Sequence, residues 1–259
     1  MIYNESMHST ENLISILIPA LNEEAGIEKT ISSIPKYKLH ELGYSLEIIV
    51  IDGNSTDLTR EIALQKGAQV IVEKRRGYGR AYKTGFNAAN GEIIVTLDAD
   101  GTYPAELIPK YIQQLNEKNM DFITVNRFSE IEKGAMSLLH RFGNKILSSV
   151  MRLLYSIDVR DSQSGMWIMR SSFVKRINLK SDDMSLSEEI KIIAFKFFRS
   201  LELEGRYFKR TGTAKLDTIK HGWYNLVYLF HYKKQIKFAV MAIPEILEKE
   251  PRIVKKEVR

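Results

Sequence analysis

The sequence predicts an α/β fold: a mainly parallel, Rossmann-like, doubly wound sheet flanked by helices, with amphipathic helices towards the C-terminus. Three observations predict it. Short apolar runs rich in β-branched residues alternate with helix-period stretches from Leu13 to Val125. The connections between them are short, as in repeated strand–helix units. Four of the runs end in polar groups, at Pro19 to Glu23, Asp52 to Asp57, Asp98 to Asp100 and Asn126-Arg127. In a doubly wound sheet such ends share one rim, where ligands bind.

Leu13 to Ile18 reads as the first buried strand, closed by Pro19. Asn22-Glu23-Glu24 opens a helix running to about Ser33, with acids in its first turn. Leu46 to Ile51 is a second strand, followed by a helix over Leu58 to Lys66. Gln69 to Val72 is a third strand, and Gly77-Tyr78-Gly79-Arg80-Ala81 leads into a helix ending near Asn90. Ile93 to Leu97 is bounded by Gly91, Gly101 and Pro104 and reads as a buried parallel strand. A helix over Leu107 to Lys118 and a strand over Phe122 to Val125 complete this half. Gly134 to Ile157 then reads as one long helix. Leu139, Phe142, Ile146, Val150 and Leu153 recur at helical spacing, beside a stripe of Arg141, Lys145 and Arg152. A short apolar run, Met166 to Met169, precedes a helix over Ser187 to Phe198 and a strand over Leu201 to Tyr207. A helical tail from Gly222 to Ile243 mixes aromatic residues with lysines. The expected organisation is a tail at 1–12, one domain at 13–220, and a C-terminal helix with a charged end at 221–259.

A chain of 259 residues suits one large α/β domain. It has no cysteine, which excludes disulfides, zinc–thiolate sites and cysteine nucleophiles. A net charge of +6 points to an anionic partner: a phosphorylated substrate, nucleic acid or an anionic membrane. No recognised nucleic-acid motif is present. No uncharged apolar run approaches the roughly 20 residues of a membrane span, and the polar N-terminus lacks a signal core. The expected location is cytoplasmic, peripheral on the cytoplasmic face of the membrane.

Asp98 and Asp100 stand one residue apart after a strand. Residues i and i+2 of an extended segment point the same way, so both carboxylates can face one point. Two hard oxygen donors there suit Mg²⁺ or Mn²⁺, ions that also hold substrate phosphates. The plainer alternative makes Asp98 a helix cap and Asp100 a turn residue.

The order and spacing of these motifs resemble family 2 glycosyltransferases with the GT-A fold, from Ile14 to about Gly222. Pro19-Ala20-Leu21-Asn22-Glu23 is similar to that family's first-strand motif. Val50 to Asp57 is similar to its second, and Asp98-Ala99-Asp100 to its Asp-X-Asp metal motif. Gly77-Tyr78-Gly79-Arg80-Ala81, followed by Gly85, Ala88 and Gly91, matches the spacing between them. Asp161-Ser162-Gln163-Ser164-Gly165 and Arg210 to Leu216 resemble the branch that glycosylates polyprenyl phosphates, the dolichyl-phosphate mannose or glucose synthases. Some of these carry C-terminal membrane spans, and none is visible here. Some carry Gln where this chain has Thr102.

The resemblance implies a nucleotide-sugar donor, with Pro19, Leu21, Glu23, Val50 and Asp52 at its base and ribose. It places Asp98, Ala99 and Asp100 at the donor diphosphate, with the metal on Asp98 and Asp100. Asp100 and Arg127 are the candidate catalytic residues. It also implies inversion at C1 in one displacement. Glu23 reads equally as a first-turn helix acid. Arg210 is a candidate for the donor diphosphate. Arg127, Arg141 and Lys145 are candidates for the acceptor phosphate, since a guanidinium fork binds phosphate oxygens in pairs. Arg141 and Lys145 read alternatively as a solvated face. Beside the apolar stripe they also suit an interfacial helix at 138–157, serving membrane and acceptor. An acceptor phosphate is already ionised and needs no base. A hydroxyl acceptor needs one, and Glu188, Glu189 and Asp161 are then the candidates. The expected function is hexose transfer to a polyprenyl or dolichyl phosphate. The alternatives are a soluble transferase with a hydroxyl acceptor, or a non-catalytic nucleotide- or membrane-binding module.

Overall fold

A computed structural model describes residues 12–213 and 218–241. Strands β1 (Leu13–Ala20), β2 (Ser45–Asp52), β3 (Gln69–Val72), β4 (Ile93–Thr96), β5 (Phe122–Ile131), β6 (Trp167–Arg170) and β7 (Ser200–Tyr207) form one sheet. Its order is β3-β2-β1-β4-β6-β5-β7. The helices are α1 (Ile27–Ser33), α2 (Lys36–Glu41), α3 (Thr59–Gln65), α4 (Tyr78–Ala88), α5 (Ile108–Glu117), α6 (Leu138–Tyr155), α7 (Ser171–Lys175), α8 (Leu186–Phe197) and α9 (Thr218–Met241).

Both faces of the sheet are covered, which is why its central strands read as continuous apolar runs. On β1, Ile14, Ile16 and Ile18 face a core closed by Ile27 and Ile31 of α1 and by Ile108, Tyr111 and Ile112 of α5. Leu17 faces the other side, against Tyr82 and Phe86 of α4 and Ile190 of α8. A third cluster joins α6, α8 and α9 through Met151, Tyr155, Ile192, Leu229 and Tyr232.

Strand β6 is the topological key. It pairs antiparallel with both β4 and β5, while β1, β2, β3 and β4 run parallel. Because it runs backwards, the loop entering it lies at the rim where β4 and β5 end. Strand β7 is parallel to β5, so the loop leaving it reaches the same rim. Two motifs distant in sequence, at Asp161 and at Arg210, are thereby delivered to Asp98.

Several boundaries differ from the sequence reading. Strand β5 continues to Ile131, with an irregularity between Asn126 and Glu130, because β7 pairs with it. Helix α1 starts at Ile27, since 22–26 is spent tying two rim loops together. Helix α6 starts at Leu138, where Ser137 Oγ accepts the His140 N–H at 3.2 Å and caps it. The short helices α2 and α7 carried no separate sequence signal. The N-terminal tail to residue 11, Ala214-Lys215-Leu216 and the stretch beyond Met241 lie outside the described residues.

Candidate active site

The ends of β1 and β2 are sewn together by their own motif residues. Asn22, at φ +51°, accepts the Thr56 N–H on Oδ1 at 2.7 Å and donates its own N–H to Ser55 Oγ at 2.8 Å. Glu24 Oε2 accepts the Leu58 N–H, and Asp57 Oδ2 accepts the Glu24 N–H, each at 3.1 Å. These polar residues are therefore staples, and they leave Leu21, Glu23 and Asp52 to the rim. Asp52 is fully buried. Its Oδ2 accepts the Ser55 N–H at 3.0 Å and lies 3.6 Å from Arg60 Nε, while its Oδ1 has no hydrogen-bond partner. A buried carboxylate oxygen without a partner suits a ligand N–H or hydroxyl. Leu21 is exposed and Pro19 half-buried. Val50 and Ala99 are packed into the core, 0% and 3% exposed, so neither presents its side chain at the rim.

Asp98 and Asp100 follow β4 as expected. Their turn is pinned from α1. Thr30 Oγ1 donates to the Asp98 carbonyl at 3.3 Å and accepts the Gly101 N–H at 2.9 Å. A Cβ on Gly26 would stand 2.7 Å from the Ala99 carbonyl oxygen, so only glycine permits this approach. Thr102 Oγ1 donates to Asp100 Oδ1 at 2.7 Å. Burial, followed by the charge of Asp100, pushes the Asp98 carboxyl up to about 7, with Arg127 and Arg210 pulling the other way. Two carboxylates forced together in this way fit a shared divalent cation, which would relieve both effects. Among the described residues no third His, Asp or Glu joins them. The remaining coordination would fall to ligand oxygens and water, as is usual for Mg²⁺ at phosphates.

Two arginines flank the acids. Arg210 Nη2 lies 3.0 Å from Glu23 Oε1 and 3.5 Å from Asp100 Oδ2, and the Thr211 N–H donates to the Asp100 carbonyl at 2.9 Å. The loop after β7 thus crosses the rim beside Glu23 and Asp100. Arg127 is buried in a two-pronged pair with Asp161, Nε to Oδ2 at 2.7 Å and Nη2 to Oδ1 at 2.8 Å, with its guanidinium 5.3 Å from the Tyr207 ring centre. Burial alone would raise the Asp161 carboxyl, but the charge and hydrogen bonds of Arg127 together with the charge of Lys191 hold it below the ordinary range.

Helix α6 lies beside this pair. Burial and then the Arg127 charge depress the His140 imidazole, which places that turn near Arg127. Arg141, the next residue, is exposed. Lys145 is exposed and lines a cavity of about 380 Å³ with Asn126, Phe128, Arg152 and Arg160. The stripe Leu139, Phe142, Ile146 and Leu153 faces outward, joined by Leu138, while the buried face is Asn144, Leu147, Ser148 and Met151. On α9, Trp223, Tyr224, Val227 and Phe230 are also exposed, although Leu229, Tyr232 and Ile236 are core. Among the described residues no helix is long and apolar enough to cross a membrane.

The three base candidates are all engaged. Asp161 serves Arg127. Glu189 accepts the Lys180 and Ser181 N–H groups at 2.8 Å each. Burial pushes the Glu188 carboxyl well above its ordinary range, and Gln163 Nε2 donates to it at 2.8 Å. First-turn positions of Glu188 and Glu189 suggested access, but α8 is enclosed from Leu186 to Ala194. Half-buried Tyr78 and buried Tyr82 and Tyr103 carried no functional signal in the sequence; burial and then the Asp98 charge oppose their ionisation, so they line its surroundings. Their helix and turn positions gave no signal beyond core packing.

The fold and the rim define a class: an α/β protein of the GT-A type, with an acid pair and flanking arginines at the carboxyl ends of its strands. Residues 15–177 match the family described as glycosyl transferase family 2. The chain is 33% identical over 215 residues to a low-salt glycan biosynthesis hexosyltransferase of Haloferax volcanii, 81% of this chain and 51% of that one. It is 31% identical to a dolichyl-phosphate hexose transferase of the same organism, over 81% of this chain and 89% of the relative. The chain thus spans about half the length of the first relative and most of the second. Glucosyl-3-phosphoglycerate synthase from Mycobacterium tuberculosis, solved with Mn²⁺, UDP and glucosyl-3-phosphoglycerate, superposes with a TM-score of 0.67. That match has 21% identity and covers 86% of this chain and 80% of the other. This chain belongs to glycosyltransferase family 2.

Proposed function

We propose that this protein is an inverting, metal-dependent hexosyltransferase that moves a sugar from a nucleotide sugar to a polyprenyl or dolichyl phosphate at the cytoplasmic membrane face. One observation carries the reading. The loop that carries Asp161, the partner of Arg127, and Gly165, beside Asp98, is bonded to α6 through Ser148 and to α9 through Asn225, and both helices carry exposed apolar residues. The relatives that act on dolichyl phosphate support the acceptor class.

Asp52 and the exposed Leu21 hold base and ribose. Asp98 and Asp100 hold Mg²⁺ or Mn²⁺, which when bound offsets charge on the leaving diphosphate. Arg210, already beside Asp100, swings onto the diphosphate from the other side. Arg127 and Arg141 draw in the acceptor phosphate, whose oxygen attacks C1 with no proton to remove. Enclosure of Glu188, Glu189 and Asp161 favours this acceptor over a hydroxyl, which would need a free base. The exposed apolar residues on α6 and α9, with Arg141 and Lys145 at their edge, rest in the headgroup layer.

A panel of GDP-mannose, UDP-glucose and UDP-N-acetylhexosamine, each with polyprenyl phosphate and Mg²⁺ or Mn²⁺, tests the reading by transfer of labelled sugar into lipid. Labelled lipid from one donor is the expected result. Full activity on 3-phosphoglycerate or a glycan with no lipid phosphate present would overturn it.

A further inference from the structure

Lys191 is a lysine in the middle of α8 with no exposed surface. No carboxylate lies within ion-pair distance of it among the described residues. Its Nζ instead donates to the carbonyls of Asp161 at 3.1 Å, Ser162 at 2.9 Å and Ser164 at 2.6 Å, and to Ser187 Oγ at 3.1 Å. The Trp167 ring lies 5.9 Å away. A buried ammonium is costly unless hydrogen bonds satisfy it, and here nearly all of them come from one short loop.

That loop enters β6 and touches both halves of the rim. At one end Asp161 holds Arg127. At the other, Gly165 lies against Asp98. A Cβ there would stand 3.1 Å from Asp98 Oδ1 and would collide with Tyr78 Oη. The Gly165 N–H donates to Tyr103 Oη at 2.6 Å, and its carbonyl accepts from Thr96 Oγ1 at 2.6 Å. Three carbonyls pointing at one spot repel unless a strong donor sits among them. Lys191 supplies that donor.

We propose that Lys191 is a positioning residue for transfer: by gathering the Asp161, Ser162 and Ser164 carbonyls onto one ammonium, it fixes the counter-ion of Arg127 and the backbone beside Asp98 as a single rigid unit. The inference rests on the transferase reading for its kinetic test. Burial pushes the Lys191 ammonium down to about 7; Asp161 on the loop, Glu202 on β7 and Glu188 on its own helix pull it up, and Arg127 on β5 pushes it down. Deprotonation above that range weakens the clamp, so activity falls as pH rises. Stability moves the other way. A lysine that loses its proton in the folded state before the unfolded one makes folding more favourable as pH climbs from about 7 towards its ordinary value. Opposite slopes separate positioning from folding.

The test compares wild type, Lys191→Met and Lys191→Arg in the full chain. It reads kcat, acceptor KM, Mn²⁺–nucleotide affinity and thermal midpoint from pH 6 to 9.5. Lys191→Met is expected to lower kcat about 100-fold, the scale of an ångström-sized misplacement, with nucleotide affinity little changed. Lys191→Arg, which stays charged, is expected to restore part of kcat and to abolish the alkaline decline. A Lys191→Met enzyme with wild-type kcat overturns the proposal. So does a Lys191→Arg enzyme that keeps the alkaline decline, and that arm stands even if the Met variant does not fold. If the wild type transfers no sugar, the function reading has failed instead. Trp167 emission, followed in a Trp223→Phe background, then tests the clamp alone: a pH transition that Lys191→Arg removes supports it, and an unchanged transition overturns it.

Discussion

Replacing Asp161 by Ala tests whether the rim's buried cation depends on a single partner. Asp161 and Arg127 are 0% and 5% exposed. The carboxylate accepts four N–H groups: Arg127 Nε, Nη2 and backbone N at 2.7, 2.8 and 3.0 Å, and the Gln163 backbone N at 3.2 Å. Truncation leaves the guanidinium enclosed, with the Tyr207 ring as its remaining described contact. Removing one member of such a pair costs about 3–5 kcal/mol, because the other charge stays buried. At about 2–4 °C per kcal/mol for a chain of this size, the thermal midpoint falls by roughly 6–20 °C. Circular dichroism melts of metal-free protein at pH 7 measure it. A fall under about 2 °C, less than 1 kcal/mol by the same conversion, would refute the assignment of Asp161 as the required counter-ion. The double variant Arg127→Met/Asp161→Leu removes both charges together. It is expected to recover most of the lost stability, since apolar replacements of buried pairs are often neutral, yet to remain inactive if Arg127 binds the acceptor phosphate.

Three further outcomes are expected. The Asp98 carboxyl titrates near 7 in the folded metal-free protein, above its ordinary value, so the folded state binds the extra proton and metal-free stability falls as pH rises from about 4 to 7. Asp98→Asn flattens that slope in melts across this range and abolishes the Mn²⁺-induced rise in midpoint; a slope unchanged in the variant would assign it to another group. Glu188→Gln leaves kcat within about threefold, because burial already keeps the carboxyl protonated, whereas loss of a working base would cost about 10²–10⁴-fold in a transfer assay. Phe142→Asp/Trp223→Asp, at positions 64% and 65% exposed, leaves the melt within about 1 kcal/mol, as surface changes do, but lowers sedimentation with anionic vesicles at least about tenfold by putting charge into the apolar interface; unchanged sedimentation would remove α6 and α9 from the membrane contact.

The part of the rim around Asp52, Asp98 and Asp100 was readable because its residues follow strands whose apolar runs are themselves readable. All three stand where the burial pattern stops, and a strand end in a doubly wound sheet has a known address. The part around Arg127 and Asp161 was harder for a physical reason. An apolar run as short as Met166 to Met169 records burial but not direction. Nothing local says that β6 runs backwards, and its direction is what brings Asp161 to Arg127 and Gly165 to Asp98. The same gap explains Glu188 and Glu189, which read as first-turn acids because the packing that encloses them comes from distant loops. It also explains α6. The stripe of Leu139, Phe142, Ile146 and Leu153 has the right period, yet the face turned inward carries Asn144 and Ser148. Ser148 is tolerated there because its Oγ exchanges hydrogen bonds with Ser162, at 3.1 Å to its hydroxyl and 2.9 Å from its N–H, whereas Asn144 Nδ2 is buried with no hydrogen-bond partner. The inner face combines these two with Leu147, Met151 and Tyr155, and a second apolar set, Leu139, Phe142, Ile146 and Leu153, is left outward, as at an interaction surface. The polar residues buried beneath α6 and the apolar residues exposed above it thus go together: the loop that Lys191 gathers bonds to Ser148 on the inner face, and Leu139, Phe142, Ile146 and Leu153 are left on the outer one.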